Sequence, residues 1–347
     1  MTDWADADLT VAVVGAGAIG CRIAAHLDNE GIACTLFDGW HEHVEAIRRE
    51  GLHFEHGELS SQHNLQAHHY EDATLAPGPY DVVLLCTRSD GTAAVLPLVK
   101  RLLKDDGCVV SCQNGINEEA IAAAVGADRT LGCSLIFGAR LSAPGCVASL
   151  PGVDTFHTGE MLGGESTRVA RIAQMFSACG TSDVTRNLMG YRWTKLVLNS
   201  CGNPMMLLTG LSAGKVHALP QARNIMIGIA REVILASRAA GDVIEPILDI
   251  EAEGWLDDSQ AGLEKLHATL ASHGDALGER RLSMVADFEA RGKTEVDYIN
   301  GHVVRKSAQH HLAAPLNARV VELVHSLENG RAQSGLHMLN LLETKHA

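Results

Sequence analysis

Ten residues into the chain, four β-favouring residues (Val11-Ala-Val-Val14) run straight into Gly15-x-Gly17-x-x-Gly20. Cys21-Arg-Ile-Ala-Ala-His-Leu27 then carries an apolar face at helical spacing. That order predicts a strand, a tight turn and a helix, the opening of a βαβ unit that sets a dinucleotide pyrophosphate on a helix N-terminus. Gly15 is expected to make the turn, Gly17 to let the backbone approach the phosphates, and Gly20 to seat the helix close on the strand. Ala18 and Ile19 open the helix and belong to the same cradle. A second strand, Ala33-Cys-Thr-Leu-Phe37, ends in Asp38, where a carboxylate can accept from the ribose 2′-OH of NAD.

The pattern that follows keeps alternating. His43–Glu50 is an amphipathic helix closed by Gly51, and a polar, His-rich stretch after it suits a short strand pair near 52–68. Asp81–Thr87 reads as a fully apolar strand, residues 93–103 as its helix, and Gly107–Cys112 as the next strand, ending in Gln113-Asn114-Gly115. Such alternation predicts an α/β fold, an N-terminal Rossmann-type doubly wound sheet with ligands outside the carboxyl ends of its strands. Residues 129–158 remain strand-like with Gly and Pro breaks, and are expected to add antiparallel strands. From about residue 165 the β signal ends and helices are expected to the C-terminus. We therefore expect a dinucleotide-binding domain at 1–186 and an all-helical substrate and catalytic domain at 187–347, with the substrate in a cleft between them.

Composition narrows the function classes. The 347 residues suit two domains, and 46% apolar residues supply ample core. A net charge of −14 argues against nucleic acid or an anionic membrane as partner, since both select basic patches. No apolar run approaches the ~20 residues of a membrane span, and the acidic start lacks a signal peptide's basic and apolar regions. Nine cysteines without a C-x-x-C pair fit a reducing cytoplasm. Among eighteen histidines, neither His41-x-His43 nor His68-His69 has acid or thiolate partners at ligand spacing, so no metal site is expected.

Two later segments carry polar groups where helices should be apolar. Lys195, Asn199 and Asn203 recur every four residues along Trp193–Pro204 and form one polar stripe. The plain alternative is a snorkelling lysine and asparagines capping a helix broken by Pro204. The second segment is Lys293-Thr-Glu295-Val-Asp297-Tyr-Ile-Asn300-Gly301. Thr294 and Asp297 resemble a capping box, which accounts for Glu295 as a first-turn acid. It leaves Asn300-Gly301 unexplained within a helical pattern.

Together and in this order, the Gly15–Gly20 fingerprint, Gln113-Asn114-Gly115, Trp193-x-Lys195-Leu-x-x-Asn199-x-x-x-Asn203-Pro204, Ser283-Met284, Thr294-Glu295-x-Asp297-x-Ile-Asn300-Gly301 and Ala314-Pro315-x-Asn317 resemble the ketopantoate reductase family over nearly the whole chain. The resemblance implies reversible hydride transfer between a nicotinamide and a 2-keto/2-hydroxy acid, 2-dehydropantoate to pantoate. It implies Lys195 as general acid and Glu295 as the acid on the substrate hydroxyl side. Asn114 would contact the nicotinamide ribose, Asn199 and Asn203 the substrate, and Ser283 its carboxylate. Arg88 stands where members commonly have lysine, and Arg280-Arg-Leu282 replaces a usual Asn-x-Ser before Ser283-Met284. These departures keep an alternative in view, an NAD-dependent catabolic dehydrogenase acting on another hydroxy acid or secondary alcohol. An intact Lys195 and Glu295 argue against a non-catalytic dinucleotide sensor. Either NAD or NADP would serve, with NAD favoured by Asp38 and Arg88 the one nearby cation for a 2′-phosphate. The apolar helical half suits a homodimer.

Overall fold

A computed structural model describes residues 8–281 and 283–343. The chain divides into two compact units, residues 1–188 and 189–347, a little beyond the expected 186/187 boundary.

Unit 1 alternates as its sequence does: β1 (Val11–Val14), α1 (Ala18–Asn29), β2 (Cys34–Asp38), α2 (His41–Glu50), β3 (Leu52–His56), β4 (Leu59–His63), β5 (Gln66–His69), β6 (Tyr80–Leu85), α3 (Thr92–Leu102) and β7 (Leu103–Ser111). There follow α4 (Glu118–Val125), β8 (Thr130–Ile136), β9 (Ala139–Ala143), β10 (Cys146–Ser149), β11 (Thr155–Glu160), α5 (Thr167–Phe176) and β12 (Thr181–Val184). The main sheet has the order β12-β11-β8-β7-β6-β1-β2-β5. From β5 across to β8 every pairing is parallel, and β11 then runs antiparallel to β8.

The unbroken apolar strands are explained by burial on both faces. Val11, Val13, Leu36, Val82 and Leu84 pack into one core with α1, while Ala12, Val14, Phe37, Val83 and Leu85 pack into another with α3. Each fully buried Val, Leu or Phe side chain among these stabilises by roughly 1.5–3 kcal/mol. Where a strand has helices on both sides, alternation of polar and apolar residues has no use.

The expected strand pair near 52–68 resolves into a β3–β4 hairpin, with β5 leaving to pair with β2. The strands expected in 129–158 are β8 to β11; β8 with β11 and β9 with β10 are antiparallel as expected, whereas β8 is parallel to β7 and β10 to β3. Of these, β9 and β10 join β3 and β4 in a second sheet of order β4-β3-β10-β9. Arg22 ties that sheet's connections to α1: it donates to the Gly138 carbonyl, pairs with Asp154, and lies 3.8 Å over the Phe137 ring.

Unit 2 is helical: α6 (Leu188–Thr209), α7 (Ala213–Ala218), α8 (Pro220–Ala239), α9 (Ala252–Leu256), α10 (Gln260–Leu277), α11 (Ser283–Arg291), α12 (Asn300–Gln309), α13 (Pro315–Glu328) and α14 (His337–Glu343). A single 3₁₀ turn, Val296–Tyr298, precedes α12. No helix among the described residues is long and apolar enough to cross a membrane.

Candidate active site

In unit 1 the expected cofactor residues gather at one edge of the sheet. Register pairs Val14 with both Phe37 and Leu85, and Leu85 with Ser111, so the carboxyl ends of β1, β2, β6 and β7 lie level. Chain order reverses at β1, which is flanked by β2 and β6. This is the position where open parallel sheets bind nucleotides.

The glycines take the places expected of them. Gly15 has φ +97° and donates its N–H to the Phe37 carbonyl at 2.8 Å; a Cβ there would run into the Thr87 backbone. A Cβ on Gly20 would collide with the Gly15 carbonyl and crowd Val13. Gly17 differs, because a Cβ built on it meets nothing within 4 Å. The neighbouring protein therefore does not require glycine at 17, whereas a pyrophosphate lying over it would. Gly17 is the N-cap of α1, and the first turn has neither a side-chain cap nor an acid. Its amides are arranged to receive an anion, and these residues fit a dinucleotide.

Asp38 closes β2, with one carboxylate oxygen accepting from Trp40 N at 2.8 Å. The Trp40 indole stacks on His43 at 5.2 Å, and the Gly39 carbonyl bonds His69 Nε2 at 3.0 Å, so the loop after Asp38 is pinned. Arg88 follows β6, and its Nε lies 3.7 Å from Asp90 Oδ1. Asn114, after β7, uses its carbonyl to accept from the Ser89 hydroxyl and the Asn117 amide. Sequence reasoning missed Gln113. Its Nε2 donates to Thr87 O, Thr87 Oγ1 and Thr92 Oγ1 at 2.8–3.1 Å and locks the loops after β6 and β7 together. Its place beside Asn114 was the available signal.

The histidine reading needs correction. The fold gathers His41, His69 and Glu71, whose ligand atoms lie within 4.8 Å of one another. Glu71 lies two residues after His69, in the 3₁₀ turn Tyr70–Leu75, and the pairing of β2 with β5 brings both to His41. Both nitrogens of His69 are nevertheless engaged: Nε2 donates to the Gly39 carbonyl and Nδ1 accepts from Glu71 N. The His41 and His69 rings stack at 4.2 Å. A doubly bonded imidazole has no lone pair to offer a metal.

In unit 2, Lys195, Asn199 and Asn203 lie along α6, which continues through Pro204 to Thr209 instead of breaking there. Lys195 and Asn199 are half-buried, and Asn203 is only 1% exposed. Asn199 Nδ2 and Asn203 Oδ1 have no hydrogen-bond partner among the described residues. The lysine's turn is well anchored: Trp193 Nε1 donates to Asp242 at 2.7 Å, and the Thr194 hydroxyl donates to the Glu245 carbonyl at 2.8 Å.

Glu295 is 5% exposed and precedes the 3₁₀ turn. The capping-box expectation does not hold for its neighbours. Thr294 donates both its N–H and its hydroxyl to Glu328 Oε1 at 2.7 Å, and Asp297 pairs with His325 at 3.1 Å. Asn300 and Gly301 open α12 instead of interrupting it, which removes the cost of a mid-helix glycine. Ser283 is exposed as the first residue of α11. Arg280 and Arg281 are exposed, with Arg281 paired to Glu289, and Leu282 lies outside the described residues.

Comparison with known proteins identifies the family. The family described as Ketopantoate reductase PanE/ApbA matches residues 11–162, and its C-terminal counterpart matches 187–328. A 2-dehydropantoate 2-reductase of Pyrococcus horikoshii is 30% identical over 324 residues, covering 92% of this chain and 98% of that protein. Among solved structures, 2-dehydropantoate 2-reductase from Geobacter metallireducens is 27% identical with TM-score 0.77, covering 93% of this chain and all of that one. A D-mandelate dehydrogenase with NADH and anilino(oxo)acetate shares the fold at 22% identity and TM-score 0.80, covering 93% and 99% of the two chains. The chain belongs to the ketopantoate reductase family and is a nicotinamide-dependent oxidoreductase acting on a CH–OH group.

Proposed function

We propose that this enzyme interconverts 2-dehydropantoate and pantoate, with Lys195 and Glu295 as its catalytic residues. The reading rests on α6, where a half-buried lysine shares a stripe with two asparagines, of which Asn199 Nδ2 and Asn203 Oδ1 have no hydrogen-bond partner among the described residues. Buried amides left unpaired are costly, and a polar substrate would satisfy them. When bound, the nicotinamide supplies or takes the hydride at the carbonyl carbon. Lys195 delivers a proton to the carbonyl oxygen as charge develops there, and takes it back in the reverse direction. Its ammonium also stabilises that charge directly. Glu295 orients the hydroxyl side, Asn199 and Asn203 hold the substrate, and Ser283 receives its carboxylate. In unit 1, Gly15, Gly17, Ala18, Ile19 and Gly20 hold the pyrophosphate, while Asn114 contacts the nicotinamide ribose.

We infer that NAD is preferred. Asp38 can accept from a ribose 2′-OH but would repel a 2′-phosphate. Arg88, the cation that could offset this, already lies beside Asp90. The same preference supports the second reading, an NAD-linked dehydrogenase of another 2-hydroxy acid. We further place the enzyme in the cytoplasm as a homodimer, without nucleic-acid or membrane partners. Seven of its nine cysteines are buried, and burial pushes the Cys34 and Cys108 thiols up to about 12, as suits structural thiols in a reducing compartment.

The test is a panel of 2-keto and 2-hydroxy acids with NAD(H) and NADP(H), run on the wild type and Lys195→Ala. Turnover should be greatest with 2-dehydropantoate and fall by about 10²–10⁴ in the variant, with cofactor affinity unchanged. Near-wild-type turnover in Lys195→Ala would remove the lysine from its role. Turnover confined to another acid would favour the second reading.

A further inference from the structure

Helix α6 carries a proline in its interior, and Pro204 has no N–H to give the Ser200 carbonyl four residues back. That carbonyl is not left bare. Asn300, the first residue of α12 and 0% exposed, donates Nδ2 to Ser200 O at 3.1 Å. We propose that Asn300 is a positioning residue: its side-chain amide replaces the backbone donor that Pro204 lacks, and so fixes the Lys195 helix against the segment bearing Glu295.

The direction of the amide is dictated by what lies behind it. Glu232 of α8 is acceptor-only when ionised, and it takes Leu316 N at 2.8 Å, Asn317 N at 2.9 Å and Asn317 Nδ2 at 2.8 Å. Asn317 must therefore present Oδ1 on its other side, and that oxygen receives Asn300 Nδ2 at 2.9 Å. Asn300 is thus obliged to turn its nitrogen towards Ser200, the only orientation that serves an orphaned carbonyl. Burial raises the Glu232 pKa, and its three N–H donors counter that by favouring the ionised form. The chain carboxylate–amide–amide–carbonyl runs from α8 through α13 and α12 to α6, four helices joined by side chains of fixed polarity.

Its position gives it a functional consequence. Asn300 lies five residues after Glu295, whose segment is tied at its other end by Thr294 to Glu328. Ser200 directly follows Asn199 and lies between Lys195 and Asn203. Two turns earlier on α6, Trp193 meets His302 of α12 with rings 5.5 Å apart. The Asn300 bond therefore sets how far the lysine's helix stands from the strip that holds the glutamate. This inference rests on the catalytic roles proposed above for Lys195 and Glu295.

The experiment is a double-mutant cycle between Asn300→Ala and Pro204→Ala, with Lys195→Ala and Asn300→Asp alongside. Thermal denaturation and kinetics are measured with whichever 2-keto acid the wild type turns over best. Asn300→Ala should lower kcat about 10- to 100-fold in fully folded enzyme, with cofactor KM unchanged, as a small misplacement of acting groups does. Asn300→Asp should do as badly, since a carboxylate faces the carbonyl with no donor. Pro204→Ala restores a backbone N–H, so it should be near neutral alone and should recover most of the lost kcat and Tm when combined with Asn300→Ala. If Asn300→Asp does not fold, the Ala cycle decides. Additive effects in the cycle, or kcat within about twofold of wild type in Asn300→Ala, would overturn the proposal. An active Lys195→Ala enzyme would instead refute the catalytic reading, and the Tm coupling would still report whether Asn300 serves Ser200.

Discussion

At the scale of single residues, the proposed preference for NAD turns on Asp38. Its Oδ1 is committed to Trp40 N, and the loop beyond it is held by the Trp40–His43 stack and the His69–Gly39 bond. A carboxylate this constrained cannot readily turn away from a ribose beside it. A hydrogen bond to an ionised acceptor contributes about 1.5–3 kcal/mol, equivalent to tenfold or more in affinity. Asp38→Ser should therefore lower kcat/KM with NADH by about that factor and raise it with NADPH. A wild-type preference for NADPH that Asp38→Ser leaves unmoved would mean that Asp38 does not contact the ribose.

At the scale of elements, the β1–turn–α1 unit makes three glycines unequal. Gly20 is needed by the fold, because a Cβ there meets the Gly15 carbonyl; Gly17 is not, because its Cβ position is open. Gly20→Ala should destabilise unit 1 by about 1–3 kcal/mol through overpacking. Gly17→Ala should leave Tm unchanged and weaken NADH binding at least tenfold. Equal NADH affinity in Gly17→Ala and wild type would show that the backbone at 17 does not face the phosphates. The same unit shows what was legible beforehand. A strand buried on both faces, a turn needing glycine and a helix with one apolar face are local signals, readable from Val11 to Leu27. The second sheet was not legible, since β3 pairs with β10 about ninety residues on, and pairing at that range leaves no periodic trace. In the His41–His69–Glu71 cluster, His69 and Glu71 are neighbours in sequence, and only the approach of His41 depended on the β2–β5 pairing. Likewise, the role of Asn300 depends on Pro204, in another helix nearly a hundred residues earlier.

At the scale of the whole chain, both units bury histidines in environments that resist their protonation. In unit 1, His26 is held at about 4 by burial, reinforced by the Arg22 guanidinium, and its ring packs against Phe54 at 5.1 Å. His43 is lowered chiefly by burial. In unit 2, His217 and His273 face each other with rings 5.6 Å apart, and burial lowers both. For a base whose folded pKa lies below its unfolded value near 6.5, the unfolded chain binds more protons in the interval between them. Stability is then fully present above about pH 6.5 and is lost as the pH falls towards the folded values. Few carboxylates titrate above about pH 5.5, so between pH 7.5 and 5.5 the histidines should dominate. Tm should fall across that interval, and His26→Leu, which keeps the contacts with Phe54 and removes the titrating ring, should flatten the fall. Identical Tm values at pH 7.5 and 5.5 would refute a histidine-driven acid limit. A fall of the same size in His26→Leu would move the effect from His26 to the other buried imidazoles.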